Sequence, residues 1–207
     1  MAQLLQKSTK VIEARLAGTS IKALTGSMVA YEGDVSFKAA GFGGGSGIVA
    51  GLKQRATGEA LSLMECRGNG TVYLAVDAQH ASVVALNGEQ LRVESRQLLA
   101  LAGSLRTDVT FAGLRGATSG EGLFTTVVSG QGQVALLSAG GPLIHLEVAP
   151  HHPLVVDPDA FVCATGNLQQ SFVTDVSWRA AVGQGSGEAF SLRWEGTGVV
   201  SIQPAER

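Results

Sequence analysis

The chain has 207 residues, with 15 Lys and Arg against 17 Asp and Glu, and it is 45% hydrophobic but only 15% charged. Cations so few and so scattered argue against a nucleic-acid backbone footprint, and so little charge points to a chain that hides surface in a large core or against other subunits. Cys66 and Cys163 are the only cysteines, which fits free buried thiols in a reducing compartment; with no apolar run near the ~20 residues of a membrane span and no apolar leader, a soluble cytoplasmic protein is expected.

Read from the N-terminus, "LTGSM" at 24–28 leads to "DVSF" at 34–37, where alternation puts Val35 and Phe37 on one face and Asp34 and Ser36 on the other, as in a half-buried strand. An excess stretch at 38–57 follows, containing the run Gly41-Phe42-Gly43-Gly44-Gly45-Ser46-Gly47. Gly45-x-Gly47-x-x-Ala50 loosely matches a dinucleotide-binding loop, but no strand–loop–helix setting surrounds it and no Gly-Lys-Ser/Thr makes it a P-loop. The expectation is a surface loop whose apolar residues Phe42, Ile48, Val49 and Leu52 contact a neighbouring subunit, a protein partner or a membrane surface, or pack down locally.

"TGEAL" at 57–61 then begins a block that ends in Gly68-Asn69-Gly70 and "TVYLAV". The same order recurs. "LAGSL" (101–105) and "DVTF" (108–111) precede "SGEGL" (119–123), Gly130-Gln131-Gly132 and "QVALLS"; "ATGNL" (164–168) and "DVSW" (175–178) precede "SGEAF" (186–190), Gly196-Thr197-Gly198 and "GVVSI". Glycine accepts positive φ without steric cost, so each Gly-x-Gly reads as the tight turn of a hairpin. Three copies of one unit predict a single all-β domain over 1–207, built of β modules at about 11–77, 80–139 and 142–203 around a pseudo-threefold axis. Each module reads as five or six short strands.

"MVAYEGDVSF", the glycine-rich insertion running into "TGEALSL", then "GEGLF", "SGQGQVALLSAGGPLIHLEV" and "LVVDPDAFVCATGNL" resemble the family named for altered inheritance of mitochondria protein 24. The resemblance covers nearly the whole chain. It implies double-stranded β-helix or β-sandwich-like modules similar to the tryptophan RNA-binding attenuator protein. It brings no agreed catalytic residues or cofactor. Fungal members are linked to mitochondrial inner-membrane organisation.

Features present in all three copies are expected to build the module. Glu59, Glu121 and Glu188 read as hairpin caps, with three carboxylates converging on a cation as the sharper alternative. The single-copy candidates are His145, Glu147, His151 and His152, since two histidines and a carboxylate can hold a non-haem metal. Period two places His145 and Glu147 opposite Ile144, Leu146 and Val148, so the His/Glu face should lie in water on a strand and turn. No Gly-x-Ser-x-Gly elbow or other nucleophile stands out. The expected function is therefore a non-enzymatic binding or scaffolding protein that forms a homo-oligomer, either trimer or dimer. The alternatives are a metal-dependent enzyme using the His/Glu cluster, or RNA or small-ligand binding in the attenuator style.

Overall fold

The computed structural model describes residues 1–42, 61–111, 124–173 and 191–205. Its strands are β1 (Gln3–Ser8), β2 (Val11–Leu24), β3 (Met28–Phe42), β4 (Ser62–Leu74), β5 (His80–Glu94), β6 (Leu98–Phe111), β7 (Phe124–Ser138), β8 (Ile144–Val148), β9 (Leu154–Val156), β10 (Phe161–Val173) and β11 (Ser191–Ile202). Among the described residues the only helical piece is a 3-10 turn at Ser95–Gln97. No helix there is long and apolar enough to cross a membrane. The fold is all-β. Its eleven strands form one antiparallel sheet in the order β3-β4-β2-β6-β7-β5-β10-β11-β8, with β1 beside β2 and β9 beside β11.

Three long antiparallel pairs, β3–β4, β6–β7 and β10–β11, recur along the sheet. Their strands run through the Gly-x-Gly sequences instead of turning there. Gly68 and Gly70 lie within β4, Gly130 and Gly132 within β7, and Gly196 and Gly198 within β11. The expected short strands are therefore halves of long ones. What the glycines serve is a close approach of backbones. In the ladder Gly33 faces Gly70, Gly103 faces Gly132, and Gly166 faces Gly198. A Cβ on Gly103, which has φ of 101°, would lie 2.7 Å from the Gln131 carbonyl oxygen and 2.8 Å from Gly132 Cα. Glycine suits such a crossing for the same steric reason that it suits a turn.

The register also corrects two of the sequence blocks. Gly26 of "LTGSM" lies between β2 and β3, and the residue facing a glycine of β4 is Gly33. Asp34 faces Asn69 beside that glycine pair, whereas Asp108 faces Val127, well past Gly103. "DVSF" and "DVTF" therefore occupy different places in their hairpins, and "DVSW" lies outside the described residues. The alternation within "DVSF" does hold: Val35 and Phe37 are half-buried while Asp34 and Ser36 are exposed.

Burial explains the near-continuous apolar runs of β6 and β7. Ala135 and Leu137 pack into one core cluster with Ile12, Ala14, Ile21, Cys66, Val72 and Leu99. Val134 and Leu136, the alternate positions, pack into a second with Leu91, Val93, Leu98, Val128 and Cys163. A strand buried on both faces has no polar side, so its sequence loses the period-two signature. A third cluster gathers Val148, Phe161, Leu192, Trp194 and Val200, with the rings of Phe161 and Trp194 stacked 5.1 Å apart.

Buried polar contacts tie these layers together. Gln97 Nε2 donates to Gln203 Oε1 at 2.9 Å, the Ala139 amide donates to the same oxygen at 3.0 Å, and Gln203 Nε2 donates to the Asp159 carbonyl at 2.8 Å. One C-terminal glutamine thus stitches the 3-10 turn, the end of β7 and the approach to β10, satisfying amides that would be costly to bury alone.

Candidate functional site

His145 and Glu147 lie on β8, an edge strand that pairs only with β11 among the described residues; His145 faces Ser201 and Glu147 faces Val199. Both side chains are exposed. A hydrogen bond of 2.8 Å joins His145 Nδ1 and Ser201 Oγ. Burial of the apolar face is graded along the strand, with Val148 buried, Leu146 half-buried and Ile144 exposed, because cover is thin at the sheet edge. His151 sits at φ 67° in the turn where the His152 amide donates to the Ala149 carbonyl at 3.0 Å. Among the described residues, no three His, Cys, Asp or Glu side chains converge well enough to hold a metal ion. His145, Glu147, His151 and His152 are all described, so this set lacks the geometry its sequence suggested.

Other candidates fall elsewhere. Ile48, Val49 and Leu52 lie outside the described residues, as do Glu59, Glu121 and Glu188; the backbone of Phe42 closes β3 opposite Ser62. Cys66 and Cys163 are free and buried, and burial pushes each thiol up to about 11. Neither is poised as a nucleophile, since it is the thiolate that reacts.

An organised charge cluster lies on β1 and β2. Glu13 is almost covered, and its carboxylate receives Lys7 Nζ at 2.9 Å and Arg15 Nε at 2.6 Å. Hydrogen bonds from Lys7 and Arg15 hold the carboxyl below its usual range, and Lys7 is raised in turn. Across the sheet, Tyr73 donates to Glu32 Oε1 at 3.1 Å, which raises the phenol. These pairs fix strands; they do not surround a reacting atom.

What sequence reading missed is the apolar surface of the sheet edges. Val29 and Tyr31 are exposed on β3, and Val155 is exposed on β9. Their signal was present as apolar residues outside the repeated blocks, at positions where a strand edge would favour Lys or a turn residue.

One antiparallel sheet with glycine-crossed hairpins, several long strands and apolar edges among the described residues defines an all-β protein. The sequence matches the family described as mitochondrial biogenesis AIM24 over residues 2–205, and the chain belongs to that family. Among solved structures, the X-ray crystal structure of protein SPYM3_0169 from Streptococcus pyogenes is similar, with a TM-score of 0.73 over 100% of this chain and 94% of that chain. At 21% sequence identity that likeness is one of fold. No protein of curated function matches the sequence.

Proposed function

We propose that the chain is a non-enzymatic scaffolding protein of the cytoplasm that works as a homo-oligomer. The observation that carries this reading is the pair of sheet edges left open among the described residues, β3 and β8–β9, with exposed apolar side chains at Val29, Tyr31, Ile144 and Val155. Apolar groups along unpaired backbone are what an assembling surface needs and what an isolated β protein avoids. In this reading the molecule is three double-stranded β-helix modules, about 11–77, 80–139 and 142–203, related by pseudo-threefold symmetry. The recurrence of one glycine register in β3–β4, β6–β7 and β10–β11 supports it.

Metal analysis of protein purified without a tag decides against the catalytic alternative. Less than a tenth of an equivalent of iron, zinc or manganese, unchanged in His145→Ala, is the expected result. A stoichiometric metal lost on His145→Ala would overturn the scaffold reading in favour of a metal-dependent enzyme.

A further inference from the structure

Consecutive hairpins of the sheet are joined by the same short ladder. At the first junction β2 meets β6, with Ile21 facing Ala102, Lys22 facing Leu101 and Ala23 facing Ala100. At the second β5 meets β10, with Leu91 facing Thr165, Arg92 facing Ala164 and Val93 facing Cys163. The glycine pairs give both ladders one frame. Leu101 and Ala164 each stand two residues before a crossing glycine, Gly103 or Gly166, and in β3 that place belongs to Tyr31, two before Gly33. On the other side, Ile21 faces Cys66 and Leu91 faces Val128, each two residues before Gly68 or Gly130. In the last hairpin Leu154 faces Trp194, two before Gly196. Lys22, Arg92 and Val155 therefore share one position.

Two of three equivalent ladders are made within the chain. The third, β9 against β3, is not: among the described residues β9 pairs only with β11 and β3 only with β4. Burial marks the vacancy on both sides. Leu101 and Ala164 are 5% and 3% exposed in the made junctions, while Tyr31 in the same place is 52% exposed. Opposite, the two made ladders carry the cations Lys22 and Arg92, yet the free edge carries Val155, 48% exposed. A free edge normally gains a charge to prevent pairing; here it has lost one.

We propose that copies of this chain join head to tail, β9 of one copy adding antiparallel to β3 of the next, with Leu154 facing Glu32, Val155 facing Tyr31 and Val156 facing Ala30. The proposal takes from the reading above the repetition of the module, not a closing of the three modules about a threefold axis within one chain, since among the described residues the sheet runs open from β3 to β8. Val155 against Tyr31 is a β-branched and aromatic cross-strand pair, and Glu32 is drawn toward Tyr73 on β4. Because the two edges differ, the contact is heterologous and continues from copy to copy into a ring or a filament.

Cysteine cross-linking reads the register directly, since Cys66 and Cys163 are buried and do not compete. Tyr31→Cys and Val155→Cys chains, mixed in equal amounts under mild oxidation, should give a disulfide dimer at least tenfold above that from either chain alone. Ala30→Cys with Val155→Cys, on opposite faces of the sheet, should give at least tenfold less. The doubly substituted chain should form a ladder of multimers, and Tyr31→Lys should reduce the assembled fraction of the otherwise native chain by tenfold or more in light scattering. Absence of the mixed dimer, equal yield from either chain alone, equal yield from Ala30→Cys, or closure of the disulfide within one chain would each overturn the proposal. Failure of the cross-link with assembly retained in light scattering removes this register and leaves the scaffold reading standing, whereas a monomer in light scattering removes the homo-oligomer as well.

Discussion

Gly26 and Gly33 have the same backbone angle, φ of 86°, and opposite surroundings. A Cβ on Gly26 would meet nothing within 4 Å, whereas on Gly33 it would lie 2.5 Å from the Asn69 carbonyl oxygen and 2.8 Å from Gly70 Cα. The pair therefore separates conformational cost from close packing. Gly26→Ala should destabilise by about 1–2 kcal/mol, the cost of an L-residue at positive φ. Gly33→Ala should cost a further 1–3 kcal/mol or so, because both obstructing atoms are backbone and cannot swing away. Urea midpoints of the two variants check this, and equal midpoints would mean that the crossing is not tight. At this scale the sequence was legible in part. That glycines recur at fixed places was readable, but a tight turn and a strand crossing demand the same freedom, so the residue type alone could not tell them apart. The Gly-x-Gly pairs were read as turns for that reason.

At the scale of elements, β1 is held to β2 by a ladder with an irregularity between Gln6 and Ser8. Lys7 stands at that irregularity, and its ammonium reaches Glu13 on β2, where Arg15 also binds the carboxylate. A bulge that re-aims one side chain is a common use of such a step. The carboxyl of Glu13 is held low, so it binds its proton less readily in the folded chain than in the unfolded chain. Its contribution to stability is then fully present above the unfolded value, about 4.3, and is lost as pH falls through the lower folded value. Glu13→Gln should lower the thermal midpoint at pH 7, and the gap from the native chain should close below about pH 4. A gap that stays constant or widens toward acid would show that the carboxyl is not held low. Strand character was legible from alternation where one face is solvated, as in 34–37; at 98–102 and 134–138, where both faces are buried, alternation is lost, and a strand such as 133–138 was legible only as an apolar run beyond its glycines. His145 and Glu147 were correctly placed on one strand face by period two; whether they converge with His151 and His152 depends on the turn at 149–152, which pattern does not encode.

For the whole molecule, the question is whether three hairpin layers unfold as one. Cys66 belongs to the cluster shared by β1, β2, β4, β5, β6 and β7, and Cys163 to the cluster shared by β4, β5, β6, β7 and β10. These clusters are not independent: β7 sends alternate side chains into each, and Leu24 packs against both. Losing one would strip a face from the strands that support the other, so a single cooperative transition is expected. The thiols report on it. With each pushed up to about 11, only about one part in a thousand is thiolate at pH 8, and burial withholds even that fraction from a reagent. A thiol-reactive dye should therefore label neither cysteine in the native chain, and both in urea. Across the urea transition, Cys66 and Cys163 should become reactive together, with the same midpoint, when the labelled sites are quantified separately by mass spectrometry. Cys66 reacting at distinctly lower urea than Cys163, or the reverse, would mean that the layers melt one at a time and that the three-pair junctions, β2–β6 and β5–β10, are seams instead of bonds.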